Sequence, residues 1–273
     1  MNDPSSHQKY ADTKLPIIAH VPHDSTHIPK EDQVNFLRSF AALGPEINKL
    51  TDHFTARLFQ SAAVNVQAHV FPVNRFLVDV ERFEDDEIEP MAAKGMGALY
   101  THDTQGKRFR ARLTALERED LLNKYYRPHH ARLTQLTQEA IARSNQGLII
   151  DAHSFPDRPL PCDDSQATDR PDICLGTDAF HTPDWLIDLV RVHFEQRGYQ
   201  VELNSPYSGT MVPLGLYKKD NRLNSIMIEI NRRLYLDDAY QINDSGFTSL
   251  RSCITDLYRL ITIEAVVHRQ PTQ

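Results

Sequence analysis

Gly147-Leu148-Ile149-Ile150-Asp151-Ala152-His153-Ser154 decides how this chain is read. A short apolar run that starts at a glycine reads as a buried parallel strand. Open α/β sheets bind ligands beyond the carboxyl ends of such strands, and His153 is expected there. Two other stretches repeat the design. Pro16-Ile17-Ile18-Ala19-His20-Val21-Pro22-His23-Asp24 is one, and Ser225-Ile226-Met227-Ile228-Glu229-Ile230-Asn231-Arg232 is the other.

Working outward, apolar runs predict strands over about 15–22, 64–71, 75–80, 147–152, 171–176, 199–203 and 225–230. Between them lie helical patterns. Glu46 to Gln60 puts Ile47, Leu50, Phe54, Leu58 and Phe59 on one face. Residues 108–126 and 128–144 read as two helices broken at Arg127-Pro128. Residues 183–197 end at Gly198, and 246–267 form a last helix. Strands alternating with helices imply βαβ units, hence an α/β fold with a mostly parallel sheet. The acidic run Glu84 to Glu89 reads as a solvated loop. Residues 155–170, rich in Pro, Asp and Ser, read as a long loop directly after His153, in the manner of a lid.

Size and composition narrow the classes. The chain has 273 residues, 40% hydrophobic and 25% charged, as in an ordinary soluble enzyme. Residues 1–14 are polar and are expected to be a flexible terminus, with 15–268 a single domain. They lack a signal-peptide core, and no apolar run nears the roughly 20 residues of a membrane span, so a cytoplasmic protein without membrane partners is expected. The net charge of −7 argues against nucleic acid as a partner. Cys162, Cys174 and Cys253 lie far apart, which suggests neither a disulfide framework nor a thiolate zinc site. Nothing in the sequence sets an oligomeric state.

Chemistry resides in a few polar residues at strand ends. Alone, His23 or His153 reads as a hydrogen-bonded loop residue. Together with Glu229 they read as parts of a metal-dependent hydrolase, because two imidazoles and one carboxylate can hold zinc and leave a position for water. Asp52, Glu81 and Asp24 compete to be the third ligand, and spacing does not choose among them. Glu229 stands in an apolar strand, where a carboxylate is costly unless paired or functional. It reads as the general base, against a salt bridge to Arg232, Arg233 or another arginine. Arg75, Arg82 and Arg232 flank these segments and would suit an anionic substrate. Asn204 and Tyr207, in a turn-rich segment with Gly209, complete the expected substrate contacts.

These segments together resemble the N-formylglutamate amidohydrolase family. The likeness is carried by Pro22-His23-Asp24-Ser25, Leu50-Thr51-Asp52-His53-Phe54, Asn74 to Arg82, Tyr125-Tyr126-Arg127-Pro128-His129-His130, Asp151-Ala152-His153-Ser154, Arg170 to Gly176, Asn204 to Gly209 and Ile228 to Tyr235. It runs in order from about residue 16 to 240. The resemblance implies a three-layer α/β/α sandwich, like zinc carboxypeptidases and cell-wall amidases, within the phosphorylase/hydrolase-like folds. It implies hydrolysis of an N-acyl amino acid such as N-formylglutamate, with one zinc ion (or manganese or cobalt). By the resemblance His23, Asp52 and His153 are ligands and Glu229 is the base. The match departs from the family at His23-Asp24-Ser25-Thr26, at Glu81-Arg82 where Asn-Arg is common, and at Gly209-Thr210. Those departures bear on the acyl amino acid accepted. A peptidase or cell-wall amidase on the same scaffold, or a binding protein without catalysis, are the competing readings.

Overall fold

The computed structural model describes residues 15–33, 35–61 and 63–268. The flexible terminus expected over 1–14 lies outside them. A six-stranded sheet forms the centre, in the order β2-β1-β3-β6-β4-β5. The strands are β1 (Ile17–Val21), β2 (Val66–Val70), β3 (Gly147–Phe155), β4 (Ile173–Gly176), β5 (Val201–Leu203) and β6 (Leu223–Asn231). All neighbours pair in parallel except β4 with β6. The expected α/β fold with a mostly parallel sheet is therefore what the chain adopts.

The period of two along each strand sorts the sheet's two faces. Ile17, Ala19, Leu148, Ile150, Ala152, Ile226, Ile228 and Ile230 pack on one face. They meet α2 (Thr55–Phe59), α5 (Asp184–Glu195) and α6 (Asp244–Val267) through Leu58, Phe59, Leu186, Val190, Phe194, Leu250, Ile254, Leu257 and Ile261. On the other face Ile18 and Ile149 meet Leu133, Leu136, Ala140 and Ile141 of α4 (Arg127–Ser144). These are the three layers of an α/β/α sandwich. His20, Asp151, His153 and Glu229 share the parity of that second face, so the polar strand residues gather on one side of the sheet.

Three local expectations are corrected. Residues 75–80 form no strand: Leu77 N and Val78 N bond to Asn74 O, and Phe76 N bonds to Asn74 Oδ1. The run is apolar because Phe76, Leu77, Val78 and Val80 are all buried in a second cluster with Phe71, Tyr100 and Phe109. The single helix over 46–60 is two: α1 (Phe40–Leu50) starts at the Ser39 cap, and the chain turns over 51–54 before α2. Finally, α3 (Ala115–Leu121) starts at the capping box of Thr114 and Glu117, seven residues later than expected. A wide π turn over Leu122–Tyr126 then joins it to α4, so Pro128 starts α4 within a continuous path and breaks nothing. The acidic run is mostly exposed, but Glu89 is buried and accepts from Phe83 N and Met91 N. No helix among the described residues is long and apolar enough to cross a membrane.

Candidate metal and active site

β1, β3 and β6 are parallel, so their carboxyl ends converge. His23 follows β1 by two residues. β3 runs on to Phe155, so His153 is inside the strand, directly opposite Glu229 of β6 in register. Asp52 comes from the turn between α1 and α2. Thr51 closes α1 through Thr51 N and Oγ1 to Ile47 O, and Phe54 takes a left-handed conformation at φ 62°. Asp52 N donates to His23 O at 2.9 Å, which ties the turn to the end of β1.

One donor atom from each of His23, Asp52 and His153 lies within 4.8 Å of the others. His153 Nδ1 is 3.2 Å from Asp52 Oδ2, and His23 Nδ1 is 3.7 Å from the same oxygen. All three side chains are buried. Their outer atoms are held. His23 Nε2 donates to Asp79 Oδ1 at 2.8 Å, His153 Nε2 lies 3.2 Å from Asp151 Oδ1, and Arg232 donates to Asp52 Oδ1 at 2.8 Å. Asp79 is fixed in turn by Tyr100 Oη at 2.6 Å and by Arg75. Against burial, which would raise it, the hydrogen bonds from His153 and His23 and the charge of Arg232 hold the Asp52 carboxyl well below its usual range.

This donor set fits a divalent ion such as zinc. Two imidazole nitrogens and one carboxylate oxygen are a common catalytic zinc set and leave a fourth position open. Each histidine backs onto a carboxylate, which fixes the tautomer and strengthens the ligand. His23 Nδ1 is buried with no hydrogen-bond partner among the described residues. A bare imidazole nitrogen turned toward a carboxylate and a second imidazole is what an ion would satisfy.

Glu229 Oε2 is likewise buried and unpartnered among the described residues. Burial, opposed by the His153 charge beside it, pushes the Glu229 carboxyl up to about 8. A carboxyl held near neutrality suits proton transfer. The salt bridge to Arg232 or Arg233 weighed from sequence is absent: Arg232 is taken by Asp52, Lys49 O and Ser154, and Arg233 by Asp157, Asp172 and Arg170 O.

The remaining expected residues fall in different places. Asp24 lies outside the cluster beside the start of α2, where the backbone of residues 54–56 stabilises its charge. Burial nonetheless raises it to about 6. Glu81 sits on the far side of His153, 3.8 Å from Nε2. Arg75 commits Nε and one terminal nitrogen to Asp79. Arg82 approaches Asp79 only to 3.6 Å, and its Nε is buried without a partner among the described residues. Asn204 is exposed and bonded to Thr177, apart from the cluster. Tyr207 packs on Phe155, bonds to Arg170 and Asp163, and lies near enough to Glu229 for that charge to help raise its phenol. Arg170 and Asp163 so anchor the 156–172 loop over this end of the sheet.

Sequence reasoning passed over Asp79, Asp151, Tyr100 and His20. Asp151 could have been found, since i and i+2 on a strand share a face and His153 was already singled out. Asp79 was hidden by the strand expected over 75–80.

The N-formylglutamate amidohydrolase family model matches residues 15–236. The chain belongs to the N-formylglutamate amidohydrolase family. Family membership makes it a hydrolase of the amidohydrolase class. An N-formylglutamate amidohydrolase of Ralstonia eutropha JMP134 is similar in structure, with a TM-score of 0.76 and 24% identity over 95% of this chain and 97% of that one. A gene product of Agrobacterium tumefaciens has a TM-score of 0.68 and 18% identity over 93% of this chain and 92% of that one. Both likenesses concern the fold. No curated protein sequence matches the chain.

Proposed function

We propose that this amidohydrolase is metal-dependent and cleaves an N-acyl amino acid, such as N-formylglutamate, to a carboxylic acid and the free amino acid. The observation that carries the reading is the buried His23, Asp52 and His153 cluster with Glu229 beside it. His23 Nδ1, Asp52 Oδ2 and His153 Nδ1 would hold the ion. When bound, zinc polarises an amide carbonyl and lowers the pKa of water to about 7. Glu229 takes the proton of the attacking water and delivers it to the leaving nitrogen. Asp79 and Asp151 keep the two imidazoles in the required tautomer and orientation. The guanidinium group of Arg82 holds the substrate carboxylate and places the amide against Glu229, while Arg75 fixes Asp79. The 156–172 loop, pinned by Asp163 to Arg170 and Tyr207, favours a small substrate over the open groove a cell-wall amidase needs.

The test is release of the carboxylic acid from a panel of N-acyl amino acids, N-formylglutamate included, by protein reconstituted with zinc, manganese or cobalt. Turnover that disappears on chelation and returns with metal is expected. Inactivity on the whole panel in metal-loaded, folded protein rejects the reading.

A further inference from the structure

Behind His153 lies a second set of buried donors, of which the reaction above uses only Asp151, to orient His153. His20 of β1 stands opposite Asp151 of β3 in register, on the same face of the sheet. His20 Nδ1 is 2.9 Å from Asp151 Oδ1 and 3.2 Å from Glu81 Oε1. The side chains of His20, Asp151 and Glu81 are 0%, 1% and 17% exposed. One Nδ1 carries at most one proton, so it cannot donate fully to both oxygens. Glu81 Oε1 is accordingly buried with no hydrogen-bond partner among the described residues. Two carboxylates at one buried point need compensating charge.

The other edge of His20 determines what Nδ1 can offer. His20 Nε2 lies 2.8 Å from His129 Nε2. Of the two facing nitrogens one must donate. With a cation on Nδ1, His20 would supply that proton from Nε2 and His129 would accept it. With Nε2 protonated, Nδ1 is either a proton donor or a bare ligand nitrogen. The three atoms lie within 4.8 Å of one another, close enough to meet on a single ion.

We propose that His20 Nδ1, Glu81 Oε1 and Asp151 Oδ1 form a second divalent-cation site, distinct from the His23, Asp52 and His153 cluster. One imidazole nitrogen and two carboxylate oxygens match zinc or manganese. The backing is complete on two sides: His20 Nε2 lies 2.8 Å from His129 Nε2, which would accept its proton, and Met211 N donates to Asp151 Oδ2 at 2.8 Å. Asp151 belongs to both surroundings, since its Oδ1 also faces His153 Nε2. An ion at this site replaces the proton between His20 and the two carboxylates.

The experiment counts ions. The full chain is stripped with chelator, dialysed against zinc or manganese ions alone and analysed for metal per chain. Wild type is expected to hold two equivalents. Glu81→Gln, which keeps size but loses the charge, is expected to hold one, and His23→Ala to hold the other one. Circular dichroism and melting check that each variant folds, and His20→Gln replaces Glu81→Gln if the latter does not. Wild type holding one equivalent that Glu81→Gln retains overturns the proposal. So does a wild type and a Glu81→Gln that both hold two. If wild type holds one equivalent that Glu81→Gln loses and His23→Ala keeps, this site stands and the metal centre in the proposed function fails.

Discussion

Asp79 Oδ1 lies 2.8 Å from His23 Nε2, across 56 residues of chain, and leaves His23 Nδ1 bare toward Asp52. Carboxylates behind a ligating histidine fix its tautomer and raise its basicity, and their loss typically costs 10–100-fold in metal affinity. Asp79→Asn keeps the shape and removes the charge. Its metal is expected to bind about tenfold to a hundredfold more weakly, measured by competition with a chelator of known affinity. Unchanged affinity means Asp79 serves only to pair Arg75.

Glu229 faces His153 across β3 and β6, and its Oε2 is buried with no hydrogen-bond partner among the described residues. Glu229→Gln preserves shape and cannot accept the proton. It is expected to keep metal and melting temperature while kcat falls about 10²–10⁴-fold. Metal loss would make Glu229 a ligand, and near-normal kcat would remove it from the reaction.

What was legible in the sequence and what was not have different physical origins. The parallel sheet was legible because buried strands are apolar throughout, and β1, β3 and β6 each carry their polar residue near the carboxyl end. His23, His153 and Glu229 were therefore nameable, whereas Asp52 was named through the family resemblance, and only the fold sets it beside the histidines and Asp24 elsewhere. The 75–80 run misled because periodicity cannot separate a buried strand from a buried turn. There, the Asn74 side chain replaces a ladder partner. Arg232 read as a substrate anchor because arginine suits anions, but burial on Asp52 and Ser154 leaves it facing inward. Such pairings span most of the chain and leave no local pattern.

Asp52 and Asp24 separate by metal content. Asp52→Ala removes an oxygen from the cluster and is expected to lose the His23-bound ion on dialysis. It also leaves Arg232 unpaired, so a lower melting temperature accompanies the loss. Asp24→Ala, near the start of α2, is expected to keep the ion. Retention in Asp52→Ala with loss in Asp24→Ala would reverse the assignment.

Of the two arginines beside Asp79, Arg82 makes no guanidinium hydrogen bond among the described residues, whereas Arg75 is tied to Asp79. A charge-assisted hydrogen bond contributes about 1.5–3 kcal/mol. Arg82→Gln is therefore expected to lower kcat/KM about tenfold to a hundredfold, chiefly through KM. Converting the substrate carboxylate to an amide should cost wild type a similar factor and cost Arg82→Gln little. Equal sensitivity of both proteins to that change would place the carboxylate elsewhere.

Acid should unfold this protein through its buried neutral histidines. His69 of β2 and His130 of α4 are both pushed down to about 4, by burial first and then by the nearby His20 charge. In the unfolded chain they titrate near 6.5. Between about 6.5 and about 4 the unfolded state then binds more protons than the folded one, so stability is present above that window and is lost as pH falls through it. His69 is only partly buried, and screening reduces its share. Together the two are expected to withdraw on the order of 1–3 kcal/mol between pH 7 and pH 5. The melting temperature should fall over that range, and His130→Asn should melt with a shallower pH dependence even if its melting point at pH 7 is lower. A double variant, His69→Gln with His130→Asn, that keeps the full wild-type slope would mean other groups control the acid limb.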